Sequence, residues 1–86
     1  MRLNKNYIIH KTNSEIILVP TGEAGFSGIV RGNSTLDVIL ELLREETNET
    51  AIVAAMQTKF DAPEEAIIND VKKAIAELRK IGALDE

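Results

Sequence analysis

The segment Gly25–Thr35, GFSGIVRGNST, decides the fold because it holds both a very short strand and the start of a helix. Its β-branched centre favours a strand, which we predict over Gly28–Arg31. Asn33 or Ser34 can cap a helix that begins directly afterwards. The sequence therefore predicts a four-residue strand with a helix immediately behind it.

Two other short strands precede this segment. The runs Tyr7–His10 and Ile16–Val19 are rich in β-branched residues, and Thr12–Ser14 between them favours a turn. Together they predict a β-hairpin. Pro20 has no N–H to give to a ladder and should end the second strand.

From Ser34 onward the apolar residues recur at helical spacing, which predicts three amphipathic helices. The first should end near Glu45, Asn48 can cap the second, Pro63 suits the first position of the third, and Gly82 suits its end. The apolar stripes are Leu36, Ile39, Leu40 and Leu43; Ile52, Val53, Met56 and Phe60; and Ile67, Val71, Ile75 and Leu78.

The predicted fold is one α+β domain over residues 1–86, winged-helix-like, with a three-stranded antiparallel sheet followed by three helices in the order β-β-β-α-α-α. No apolar run approaches the roughly 18 residues that a membrane span needs, and the N-terminus does not read as a signal peptide. The absence of cysteine suits a cytoplasmic protein.

Nothing in the sequence has the pattern of an active site. Without cysteine, and with His10 as the only histidine, the chain lacks the ligands of a usual zinc site. The paired acids Glu45–Glu46 and Glu64–Glu65 lie at predicted helix ends, where they suit the surface and the helix dipole better than acid–base catalysis. We therefore expect no catalytic residue, no metal site and no cofactor.

Two long segments of the chain are LVPTGEAGFSGIVRGNST and ILELLREETNETAIVAAMQTKFDAPEEAIINDVKKAIAELRKIGAL. Together they resemble the PqqD family, named for pyrroloquinoline quinone (PQQ) biosynthesis protein D, and the likeness runs from about Tyr7 to Leu84. The chain departs from the family at Arg31–Gly32, where an apolar residue is common. The most telling positions are Asn33, the ILELL of the first helix, Asn48, Ile52, Asp70, Val71, Leu78, Gly82 and Leu84.

The resemblance implies a peptide-binding module without catalysis, a recognition element for ribosomally made and post-translationally modified peptides. Such modules hold the leader of a precursor peptide and present the remainder to a modifying enzyme, often a radical S-adenosylmethionine enzyme. PQQ synthesis is one such pathway. In relatives the leader adds as a strand beside the third strand and rests against the third helix.

An edge strand suits that role because its unpaired N–H and C=O groups can pair with another chain. The glycines Gly28 and Gly32 either let an incoming backbone approach or only permit turns. The residues expected to bind the peptide are Gly28, Ile29, Val30, Arg31, Val71, Lys72, Ala74, Ile75 and Leu78.

The alternative is a winged-helix regulator that binds nucleic acid. The net charge of −4 argues against it, and the charges of the third helix cancel. These are Lys72, Lys73, Arg79 and Lys80 against Glu64, Glu65, Asp70 and Glu77. We expect no nucleic acid and no membrane as partner, and the sequence fits a monomer or a homodimer.

Overall fold

The computed structural model describes residues 1–22, 28 and 30–86. Five strands and three helices are assigned within them. In chain order they are β1 (Arg2–Leu3), β2 (Tyr7–Lys11), β3 (Ile16–Pro20), β4 (Val30–Gly32), α1 (Ser34–Leu42), α2 (Glu49–Lys59), α3 (Glu64–Lys80) and β5 (Leu84–Asp85).

The main sheet is antiparallel with the strand order β2-β3-β4, and three helices follow it, which confirms the predicted α+β fold. The short strand covers Val30–Gly32 instead of the predicted Gly28–Arg31. Its last residue is Gly32, which still pairs with Ile16 of β3. Gly28 is an exposed bend before the strand. Ile29 lies outside the described residues.

A second sheet of two short strands joins the two ends of the described chain, and the predicted order did not include it. Strand β1 pairs antiparallel with β5, with Leu3 opposite Leu84. The Leu3 N–H donates to the Leu43 carbonyl at 2.8 Å, and the Asn4 N–H donates to the Ala83 carbonyl at 2.7 Å. Strands of two residues are too short to give a period-2 pattern.

The helix starts follow the predicted caps closely. The Asn33 side chain accepts a hydrogen bond from the Thr35 N–H at 3.1 Å, and the Asn48 side chain accepts one from the Ala51 N–H at 2.8 Å. Pro63 is the residue before α3 and not its first residue. Side-chain oxygens thus satisfy backbone donors that the first turns of α1 and α2 would leave free.

The helix ends are less regular. Helix α1 stops at Leu42 instead of near Glu45, and the carbonyl of the next residue accepts the bond from β1. At the end of α3, Gly82 has φ of 74° and donates to the Arg79 carbonyl at 3.1 Å, while Ala83 donates to the Leu78 carbonyl at 2.9 Å. This is a Schellman motif, in which a glycine adopts the left-handed conformation without steric cost.

Helix α1 packs against one face of the main sheet, and α2 and α3 pack on α1 and on each other around the same core. No described helix is long and apolar enough to cross a bilayer. The opposite face carries Ile8, whose side chain is 57% exposed, with Ile17 and Val19 beside it. The buried core is Tyr7, Ile16, Leu18, Ile39, Leu40, Leu43, Ile52, Met56, Ile67, Val71, Ile75, Leu78 and Ala83.

Candidate functional site

The hydrogen-bond alternation of the hairpin sets which backbone groups face each edge of the main sheet. Thr12 donates to the Glu15 carbonyl at 2.9 Å, so these two form a hydrogen-bonded pair. Bonded and non-bonded pairs alternate along an antiparallel ladder. Ile17 therefore directs its backbone groups toward β2, whereas Ile16 and Leu18 direct theirs toward β4.

Strand β4 is an edge of this sheet, and no described strand pairs with its outer side. Val30 lies opposite Leu18 and Gly32 opposite Ile16, so both use their backbone groups to bind β3. Arg31 lies between them, and its N–H and C=O consequently point away from the sheet. Among the described residues of β4, Arg31 is thus the one that offers both ladder groups to another chain.

A groove runs beside this edge, between β4 and helix α3, and we call it the β4–α3 groove. Its volume is about 250 Å³. Four apolar side chains form its floor, and the charged Lys73 and Glu77 of α3 stand at its margin. The lining residues are Val30, Arg31, Gly32, Leu36, Lys73, Ala74, Glu77 and Leu78.

A second cleft continues the first toward the start of α1, and we call it the α1–α3 groove. It has a volume of about 210 Å³ and shares Leu36, Lys73 and Ala74 with the β4–α3 groove. Asp70 and Asn33 also line it. The two grooves form one path next to the open edge, with Ala74 at their junction.

Gly32 brings β4 close to α1. A Cβ at this position would lie 2.3 Å from Leu36 Cδ2 and 2.6 Å from Leu36 Cβ, closer than real contacts allow. Its φ is not positive, so a turn does not require glycine here. The absent side chain makes room for the protein's own Leu36, which differs from both roles considered from the sequence.

The predicted site residues that the structure describes divide into buried, half-buried and exposed positions. Val71 and Ile75 are 0% and 3% exposed and belong to the core, so their side chains are not accessible to a ligand in this structure. Leu78 is also buried but forms part of the groove floor. Val30 and Ala74 are half-buried in the groove. The exposed predicted residues are Gly28, Arg31 and Lys72, of which Arg31 lines the groove.

The set of residues expected to bind the peptide did not include three side chains that line the groove, those of Leu36, Lys73 and Glu77. The two charged ones could have been found through Glu77, which lies three residues after Ala74 and four after Lys73, the spacings at which helix residues are surface neighbours. The contribution of Leu36 could not, because it depends on how closely β4 approaches α1.

At the other edge of the main sheet, ion pairs connect strand β2 to helix α1. The Lys11 ammonium lies 2.9 Å from Asp37 Oδ1 and 2.9 Å from Glu41 Oε1, and Arg44 Nε donates to Glu41 Oε2 at 2.8 Å. Asp37 Oδ1 is shielded from water and accepts no well-aligned hydrogen bond, so the nearby ammonium compensates its charge. Hydrogen bonds first from Lys11 and then from Arg44 lower the pKa of Glu41.

Tyr7 connects the same strand β2 to the end of α3. Its hydroxyl donates to the Ile81 carbonyl at 2.6 Å. The ring is buried, and burial raises the pKa of the phenol above its usual value. Strand β2 is therefore held to both α1 and α3 by side chains.

Comparison with known proteins assigns the class of this domain. The family described as "Coenzyme PQQ synthesis protein D (PqqD)" matches residues 15–84. The chain therefore belongs to the PqqD family. None of the curated proteins matches it.

A solved structure has the same fold at low sequence identity. The protein TbiB1, solved "in Complex with the TbiA(beta) Leader Peptide", is similar to this chain with a TM-score of 0.80 and 15% identity. The alignment covers 99% of this chain and 95% of that one.

Proposed function

We propose that this protein is a non-catalytic recognition element that binds the leader of a ribosomally made precursor peptide and presents it to a modifying enzyme. The leader adds as a strand to the open edge of β4 and places side chains in the β4–α3 groove. The observation that carries the proposal is the outward-facing backbone of Arg31 next to an apolar groove. Membership of the PqqD family and the leader complex of TbiB1 support it.

Backbone pairing alone is too weak to hold a peptide at this edge. The N–H and C=O of Arg31 can form two ladder bonds, which contribute about 1–3 kcal/mol net. Association costs at least about 4 kcal/mol in lost translational and rotational freedom. Each apolar side chain buried in the groove adds about 1.5–3 kcal/mol. The groove floor must therefore supply most of the affinity and all of the preference for one leader over another.

The partner enzyme is the finer part of the proposal. The family resemblance favours a radical S-adenosylmethionine enzyme, with PQQ synthesis or the maturation of another modified peptide as the pathway. We expect the complex to form in the cytoplasm. The nucleic-acid alternative has no support from α3, whose four exposed cations are balanced by four exposed acids, Glu64, Glu65, Asp70 and Glu77.

Filling the groove tests the proposal. Ala74→Leu places a larger side chain at the junction of the two grooves, where the native residue is only half-buried. Titration calorimetry with the leader of the precursor peptide encoded beside this gene should show at least a tenfold loss of affinity, which corresponds to about 1.4 kcal/mol.

Ala76→Leu is the matched control, because it is the same substitution on the same helix at an exposed position outside both grooves. It should bind the leader as the unsubstituted protein does. Equal binding by the Ala74→Leu variant, or no binding by the unsubstituted protein, would count against the proposed site.

A further inference from the structure

Strand addition at β4 fixes the face on which each peptide side chain lies. Residues that lie directly opposite each other in a ladder place their side chains on the same face of the sheet. Arg31 lies opposite Ile17, on the face away from the helices, where Val30 and Gly32 do not point. A peptide residue paired with Arg31 would thus project onto this outer face, and its two neighbours would project toward the β4–α3 groove.

The outer face around Arg31 presents a cation at the free edge. The guanidinium is 62% exposed, and its one ion pair within the described chain is with Glu15 at 3.8 Å. A guanidinium has five N–H donors, more than this one long contact within the described residues can use. A carboxylate on the peptide residue opposite Arg31 would lie within reach, because opposite Cβ atoms are about 4.5–5.5 Å apart.

The face toward the β4–α3 groove favours apolar side chains instead of a charge. Val30, Leu36, Ala74 and Leu78 form an apolar floor, with charged groups only at the margin. The two peptide residues that flank the one opposite Arg31 point toward this floor. Apolar side chains fit there, whereas a charge would lose its hydration against the floor.

We propose, on the basis of the function proposed above, that the bound leader carries an apolar–acidic–apolar tripeptide whose acidic residue pairs with Arg31. Its carboxylate lies on the outer face of the sheet, and its two apolar neighbours occupy the β4–α3 groove. The tripeptide thus uses the two faces of the added strand for two different contacts.

The test is a selection of binders from a random peptide library displayed on phage, followed by titration of the enriched peptides. The baits are the unsubstituted protein, Arg31→Glu, and Lys59→Glu as a control with the same change in net charge. Lys59 ends α2 and lines neither groove. Only peptides whose binding is lost with the Ala74→Leu variant are counted, since these occupy the groove.

The unsubstituted protein and the Lys59→Glu variant should enrich apolar–acidic–apolar sequences, and Arg31→Glu should enrich apolar–basic–apolar ones. Replacing the acid by lysine in an enriched peptide should weaken its binding to the unsubstituted protein about two- to fivefold, as expected for exposed ion pairs. Glu15→Gln removes the competing carboxylate and should strengthen binding of the acidic peptide about twofold.

Groove-dependent peptides without a charge preference, or with a preference that Arg31→Glu does not reverse, would overturn the tripeptide while leaving leader binding intact. Failure of every bait to enrich a groove-dependent peptide would overturn both. If Arg31→Glu does not fold, because it adds a charge beside Glu15, Arg31→Gln replaces it and should abolish the acidic preference.

Discussion

The main sheet has two edges that differ in what lies beside them. At β2, Ile9 and Lys11 direct their backbone groups outward, but Lys11 reaches α1 and Tyr7 reaches the end of α3. At β4, Arg31 is the described residue that directs its groups outward, and an apolar groove runs alongside. Side chains thus connect the β2 edge to the helices, whereas the β4 edge lies beside the β4–α3 groove.

This difference shows that open backbone groups do not by themselves make a binding site. Both edges offer N–H and C=O groups, and two such bonds contribute less than association costs. Within the described residues, the β4 edge also has an apolar groove along it that can take side chains. Variants that alter one edge and leave the other intact therefore test whether the β2 edge contributes to stability alone and the β4 edge binds the peptide.

The largest effect is expected from Gly32→Ala. The new methyl would lie 2.3 Å from Leu36 Cδ2 and 2.6 Å from Leu36 Cβ, so β4 must move away from α1. We expect the free energy of unfolding to fall by about 1–3 kcal/mol in urea denaturation, and leader affinity to fall as the edge moves.

Gly22→Ala is the control for glycine removal, because a Cβ there would meet no atom within 4 Å. Its free energy of unfolding should change by no more than about 0.5 kcal/mol. Equal stability of the two variants would mean that β4 does not pack on Leu36 as closely as described.

A smaller loss of stability is expected from Tyr7→Phe, at the β2 edge. The variant removes the hydroxyl that donates to the Ile81 carbonyl and leaves that carbonyl without this partner. The free energy of unfolding should fall by about 1–2 kcal/mol, with leader affinity unchanged. Thr58→Val removes an exposed hydroxyl that donates to the Ala55 carbonyl and should have almost no effect.

Tyr7 should also make the free energy of unfolding depend on pH in alkaline solution. Burial raises its pKa above the value of 10.0 in the unfolded chain, so its contribution is complete below pH 10.0 and is lost as the pH rises through the folded value. The Y7F variant should lack this part of the alkaline loss. Identical alkaline unfolding of the two proteins would contradict the burial of the phenol.

The smallest effect is expected from Glu41→Gln. Bonds from Lys11 and Arg44 lower the pKa of Glu41 below the unfolded value of 4.5. Its contribution to stability is therefore present above pH 4.5 and is lost as the pH falls through the lower, folded pKa. The E41Q variant should show a weaker decline in acid than the unsubstituted protein.

The midpoints of acid unfolding, followed by circular dichroism, measure this difference. Glu45→Gln changes an exposed carboxylate that lies just beyond α1, and it serves as the control. A Glu45→Gln effect as large as that of Glu41→Gln would show that general charge repulsion, and not the contact with β2, governs the acid loss.

Much of the fold could be predicted because local signals agree with the tertiary structure. Asn33 and Asn48 cap helices as their residue type favours, and Gly82 takes the left-handed conformation that ends α3. Most residues of the predicted apolar stripes are buried in the core, whereas Leu36, Val53 and Phe60 are half-buried. Strands β1 and β5 escaped prediction because two residues carry no periodicity, and their pairing joins distant parts of the chain.

The site was predictable only in outline. The resemblance to the PqqD family implied a site at the third strand and the third helix, but a helical stripe does not say which side chains are buried and which line a groove. Val71 and Ile75 are buried in the core, whereas Lys73 and Glu77 lie at the margin of the β4–α3 groove. That division depends on where β4 and α1 meet α3.

Amide hydrogen exchange of the two edges, measured with and without the leader peptide, tests the central claim most directly. In the free protein the Arg31 amide should exchange faster than those of Val30 and Gly32, because its N–H faces away from β3. Added leader should slow exchange at Arg31 and leave Ile9 and Lys11 unchanged. Protection that arises at Ile9 and Lys11 instead, or that Arg31 already has without peptide, would contradict the assignment of the β4 edge as the binding site.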